Sequence, residues 1–463
     1  MIFLAAFGGK IVFIMPNAND FDAKYEKMTS APVERLVLGL AAPTITIMLI
    51  SALYNMADTY FVGSLGTSAV AGVGVAFPLM NVIQAVGFFF GQGVGNYVSR
   101  QLGAMKLDDA SKMVATGFFT TIAIGVALAA AGLVFLDGLA VVLGATPTVL
   151  PYAKDYIFYI LLGIPWMTAS IMLNTLLRFQ GSASYAMVGM VSGAVINVVL
   201  DPILIYACKM GVAGAALATM ISQFISFCLL LIGCAKSGNI QVSPRNFTPR
   251  PAFFKDIVRG GVPSLLRQAL ASVATIFINR LSGNYGDAAI AAMSIVMRIM
   301  IIANSALIGL GQGFQPVCGF NYGAGRYDRV KKAFRFCVKL SVWGLLAITA
   351  AAWLFAPDIM ALFRGDDPEV IRIGALALRL QFLASPLMGW VIMNNMMFQT
   401  IGESLPASTL ALARQGLFLL PILYALSRSL GLFGIQISQP LADAATFALS
   451  IPFNIRVMRG MKQ

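Results

Sequence analysis

Histidine is missing from this 463-residue sequence. With it goes the one side chain whose unperturbed pKa lies near neutrality, and with it too zinc chemistry of the HExxH kind. Proton exchange at neutral pH would therefore fall to carboxylates. Charge of either sign is scarce as well, at 11% of residues, where a soluble domain carries roughly 25%. No GxxxxGK[ST] phosphate loop occurs, which excludes ATP hydrolysis by that route. The five cysteines (208, 228, 234, 318 and 337) show no CxxC spacing and read as reduced packing residues. No nucleophile–base or metal constellation stands out, so neither an enzymatic activity nor a bound cofactor is expected.

What fills the space is apolar sequence. Hydrophobic residues make up 59% of the chain and mean hydropathy is +0.82. They come in blocks of the length, about 20 residues, that crosses a bilayer core of roughly 30 Å. Twelve spans are expected, at 36–62, 69–99, 111–136, 153–177, 184–207, 212–235, 257–281, 288–318, 333–355, 373–398, 405–427 and 432–455. The expected fold is an all-α polytopic membrane protein. Residues 32–235 form a first six-helix lobe, 236–256 a polar linker, and 257–463 a second lobe with a short tail. Residues 1–31 read as a disordered extension, or as a start placed upstream of the true one.

The net charge of +13 is distributed unevenly. With both termini on one side, that side holds 21 of the 32 basic residues and the opposite side only five, namely Lys154, Lys209, Arg364, Arg372 and Arg428. The positive-inside rule makes the rich side cytoplasmic, and the expected location is the cytoplasmic (inner) membrane. The same distribution argues against nucleic-acid binding, which needs a basic folded face. The expected surroundings are a lipid bilayer.

The chain also repeats itself. At an offset of 220, Pro43 meets Pro263, Gly66 meets Gly286, Gly91-Gln92-Gly93 meets Gly311-Gln312-Gly313, and Gly103 meets Gly323. At 219, Gln180 meets Gln399 and Pro202 meets Pro421. Six spans per repeat is an even number, so both halves enter from the same side as parallel repeats. Two like lobes facing across a central cavity suit alternating access. The glycine triplets lie inside spans and mark close helix packing.

Of the 19 acidic residues, only Asp58, Asp201 and Asp443 fall deep within spans. A charge at a helix centre costs at least about 2.5–3.5 kcal/mol, so such residues face an interior and usually serve a function. Asn197 and Asp201 are four apart and share a helix face, as do Tyr54 and Asp58. Pro202 removes a backbone donor and frees a carbonyl near Val198. Carboxylates, amide and hydroxyl oxygens and a free carbonyl make a hard oxygen site for a proton or small cation. Two neighbouring carboxylates raise one another's pKa toward neutrality. The repeat positions of the two aspartates hold Ile278 and Leu420, so ion coupling is expected in the first lobe only. Methionines such as Met190, Met293 and Met297 suit an adaptable cavity wall. Arg298 and Asp443 are candidates for the same cavity, while Arg267 and Arg414 are intramembrane charges without an assigned role.

The stretches YNMADTYFVGSLG (54–66), GQGVGNYVSRQLG (91–103), NVVLDPILIY (197–206), GVPSLLRQ (261–268), GDAAIAAMSIVMRI (286–299) and GQGFQPVCGFNYGAG (311–325) resemble the MATE family of multidrug and toxic compound extrusion transporters. Within it they look like the DinF-like branch with its MepA-like exporters, from about residue 32 to the C-terminus. The resemblance implies an antiporter that exports drugs or toxic organic, often cationic, compounds in exchange for H⁺ or Na⁺. By motif match, Asp58, Tyr54, Asn197, Asp201 and the hydroxyl of Thr219 are its ion-coupling cluster, and Asp58, Asn197, Asp201 and Thr219 its Na⁺ ligands if sodium drives it. Tyr156 and Asn174 match polar residues of the fourth span. A flippase of lipids or lipid-linked oligosaccharides, from the same superfamily, is the alternative.

Overall fold

The computed structural model describes residues 18–63, 65–236, 240, 242–364 and 367–461, without the side chains of 18–20, 52–60, 67, 287 and 364. Residues 1–17 of the expected extension and parts of the linker lie outside them. Among the described residues there is no strand, as expected where lipid offers the backbone no hydrogen-bond partner.

A short helix, α1 (Ala18–Ser30), precedes the first lobe, which comprises α2 (Val33–Gly63), α3 (Thr67–Gly103), α4 (Leu107–Val134), the short α5 (Leu136–Val142), α6 (Leu150–Phe179), α7 (Ala183–Pro202) and α8 (Gly211–Lys236). The second lobe comprises α9 (Pro251–Ser282), α10 (Asp287–Gly323), α11 (Tyr327–Arg364), α12 (Pro368–Leu383), α13 (Ser385–Ile401), α14 (Ser404–Leu412), α15 (Leu420–Ser429) and α16 (Leu432–Gly460). Among the described residues ten helices, two of them counted through a π-helical turn, are long and apolar enough to span a bilayer, and the bent pair α12–α13 makes an eleventh. The twelfth expected span corresponds to α16, 29 residues long and interrupted by Pro440 and Pro452. The expected spans thus correspond one for one to long helices.

Three differences from the sequence reading appear. Residues 18–30, part of a stretch expected to be disordered or to precede the true start, are helical because they bury Phe21 and Met28. The tenth span breaks by 48° between α12 and α13. Pro386 there cannot donate to the Phe382 carbonyl, and Thr349 Oγ1 supplies the missing bond at 3.0 Å. The linker is also shorter than expected, since α9 already starts at Pro251. Thr248 is tied to Thr116 of α4 by two hydrogen bonds of 3.0 and 3.1 Å.

The repeat visible in the sequence is repeated in the backbone. Gly66 and Gly286 start α3 and α10 with φ of 105° and 91°, values that favour glycine. Asn174 donates to the Ala186 carbonyl, and in the second lobe Asn395 donates to that of Ala407, each reaching 12 residues ahead.

The lobes join along α2–α10, α3–α9 and α3–α10. A methyl group at Gly93 would meet the Ile257 carbonyl oxygen at 2.4 Å, and one at Gly313 would meet Ala41 Cα at 2.4 Å. Close approach is therefore what the glycine triplets permit. Gln92 and Gln315 exchange side-chain hydrogen bonds of 3.1 and 3.5 Å across this seam. Beside them Arg178 of α6 donates to Gln312 of α10, and Thr44 donates to the Gly309 carbonyl at 2.7 Å. Each of these contacts lies in the half of its helix nearer the chain termini. The described lobes are thus sealed on the side of the termini.

Candidate functional site

The first-lobe cluster is assembled by two helices. On α7, Asn197 and Asp201 lie one turn apart, and Thr219 faces them from α8. All three are shut away from solvent, with exposures of 1%, 0% and 1%. The Asn197 amide is satisfied when its nitrogen donates to Asp201 Oδ2 and its oxygen accepts from the Thr219 backbone N–H, both at 3.2 Å. The arrangement gathers carboxylate, amide and hydroxyl groups of the kind that hold hard cations.

After Pro202 the helix does not stop but widens into a π-helical turn, Ile203–Ala207. Such turns recur at functional sites, because one extra residue per turn re-aims the side chains around it. The matching region of the second lobe has one as well, Ala413–Leu419 ahead of Pro421. The π-turns were not foreseen; the two prolines were their only trace in the sequence.

Tyr54 and Asp58 lie outside the described side chains. The helix that carries them, α2, packs along α7, and Tyr206 Oη donates to the Phe61 carbonyl at 3.0 Å. The first lobe's other candidates lie apart from the described cavity. Tyr156 of α6 is buried in an apolar cluster shared with neighbouring helices. Asn174 pins α6 to α7 through Ala186, and Met190 receives the Ser226 hydroxyl at 3.8 Å.

The second lobe holds a cavity of about 360 Å³ between α9, α10, α13 and the α14–α15 segment. Met297 lines it, as do Met300, Met388 and Met396. Met293 is buried in the neighbouring core, and Arg298 is exposed and not part of the wall. Asp443 sits behind the wall, paired with Arg414 at 2.9 Å and receiving Gln439 Nε2 at 2.8 Å. Arg267 reaches Asn395 Oδ1 at 3.3 Å and Ser264 Oγ at 3.4 Å. The sequence reading did not single out Gln268, Gln381, Asn395 or Gln439 as lining residues. The spacing of four between Gln439 and Asp443 was the available signal.

A family model described as MatE matches residues 43–203 and again 263–425. The two matches start at the offset of 220 that aligns the internal repeat. The chain is similar to the multidrug export protein MepA of Staphylococcus haemolyticus (strain JCSC1435), at 27% identity over 91% of this chain and 94% of that protein. Among solved structures it resembles an outward-facing multidrug resistance MATE family transporter of the MOP superfamily. That similarity has a TM-score of 0.88 at 26% identity, covering 94% of this chain and 98% of the other. It also resembles a MOP superfamily transporter from Pyrococcus furiosus, whose reversed binding-pocket polarity suggests a different function for that protein. There the TM-score is 0.88 at 27% identity, with 94% and 98% covered.

Proposed function

The chain belongs to the MatE family, and from that premise we propose that it is a secondary antiporter exporting drugs or other toxic organic compounds in exchange for H⁺ or Na⁺. The observation that carries this reading is the Asp201 carboxylate, wholly buried beside Asn197 and Thr219 in a lobe sealed toward the termini. Asp58 and Tyr54, on the helix packed against α7, complete the ion site in this reading. With both carboxylates ionised, their repulsion keeps the lobe open. A proton or a sodium ion removes that repulsion, the cavity contracts, and the compound leaves on the far side. An ion can drive this only by binding the two states unequally.

Purified protein in liposomes, loaded with a fluorescent organic cation under an imposed pH or sodium gradient, tests the reading. Gradient-driven movement of the dye, abolished when the gradient is collapsed, is expected. Movement indifferent to both gradients would exclude antiport. The arginines of the second-lobe cavity favour the alternative, a lipid flippase; scrambling of a labelled lipid in the same liposomes without dye movement would establish it.

In this reading the chain is a monomer in the inner membrane with both termini in the cytoplasm. A cysteine at Ser243 should resist impermeant labelling of intact cells and one at Thr148 should accept it. The reverse pattern would invert the orientation.

A further inference from the structure

Two guanidinium groups, Arg267 and Arg414, line the second-lobe cavity, and among the described residues only Arg414 meets a carboxylate. Asp443 neutralises Arg414, whereas the side-chain partners of Arg267 are the neutral Asn395 and Ser264. Among the described residues no Asp or Glu lines the wall. The cavity therefore carries a net positive charge at membrane depth, where an unanswered charge is costly. Its remaining walls are methionine and aliphatic surface with a few amides, among them Gln268 and Gln439. At about 360 Å³ it has the volume of a small-ligand site rather than of a packing defect.

We propose that this cavity binds a small amphipathic organic anion, its carboxylate, sulfonate or phosphate head on Arg267 and its apolar body on Met297 and Met300. The planar guanidinium fork has donors left after its bonds to Asn395 and Ser264, and it matches a carboxylate or phosphate in two-point geometry. Arg414 adds a second positive pole that Asp443 holds in check. The site stands on the second lobe alone and does not depend on ion-coupled export through the first.

The test is equilibrium binding of naphthalene-2-carboxylate to purified full-length protein, with naphthalene-2-carboxamide as the neutral counterpart. The carboxamide should bind at least about tenfold more weakly than the carboxylate, and Arg267→Gln should lose about the same factor for the carboxylate alone. Arg267→Lys should recover part of it. Asp443→Asn, which releases Arg414, should bind the carboxylate more tightly than the parent, a gain that mere loosening of the fold would not produce. Unfolding midpoints of the variants confirm that folded protein is being compared. Equal binding of acid and amide, or Arg267→Gln binding like the parent, would overturn the proposal. Phosphatidylglycerol in mixed micelles separates the two sources of such a head. If it displaces the naphthoate only at large excess, the small anion stands. If it binds more tightly, in an Arg267-dependent way, the site belongs to a lipid and the small-anion assignment fails.

Discussion

An amide has nearly the shape of a carboxylate but cannot change its charge, which makes Asp201→Asn the informative substitution in the first lobe. The residue is fully buried and receives the Asn197 amide, so the variant should fold and insert. If Asp201 couples the ion as proposed, exchange should fall at least about tenfold, because a coupling group that cannot titrate gives the ion no preference between states. Drug binding to the parent should weaken as pH falls through the apparent pKa of the coupled carboxylates, and Asp201→Asn should flatten that curve. A curve left unchanged would reduce Asp201 to a hydrogen-bond anchor between α7 and α8.

Among the helices, α1 is one the sequence reading did not expect. It bridges the lobes on their sealed side. Lys24 Nζ donates to Ser182 of the first lobe. From the second lobe, Asn321 donates to the Met28 carbonyl at 3.1 Å, Arg326 to that of Thr29 at 2.9 Å and Arg329 to that of Ala31 at 2.6 Å. Burial, with Lys27 alongside, pulls the Lys24 ammonium from its ordinary 10.5 down to about 8. A pKa lowered by docking means that docking releases the proton. The helix is therefore held best above 10.5, and that contribution is lost as pH falls toward 8. A spin label at Asp22, which is exposed, should become more immobilised as pH rises through this window. Lys24→Met should show no such dependence; an identical pH response in that variant would show that Lys24 does not set the docking.

For the molecule as a whole, alternating access requires that the sealed seam open. Its centre is the Gln92–Gln315 pair, with Arg178 on Gln312 beside it. Cysteines at Gln92 and Gln315, in a chain with its own five cysteines replaced, should react with a short bifunctional thiol reagent. The cross-link should stop transport while leaving the cavities able to bind. Transport that survives complete cross-linking would mean that the two lobes do not part here.

The number of spans, their apolar character and the twofold repeat were legible in the sequence, because bilayer thickness fixes helix length and a duplicated motif keeps its spacing. The face shared by Asn197 and Asp201 was legible for the same reason, since it depends only on the 3.6-residue turn. Thr219 came from a resemblance, and no local rule brings it to Asn197 from 22 residues away. Arg414 and Asp443 were each visible as an intramembrane charge, yet their pairing rests on how α16 packs against the π-turn after α14. The cavity that leaves Arg267 without an acid, the seam that brings Gln92 to Gln315, and the docking of α1 likewise join residues more than 100 positions apart. Composition and period report what one helix must do in lipid; which helices then meet, and which charges are left unanswered between them, was decided by tertiary packing alone.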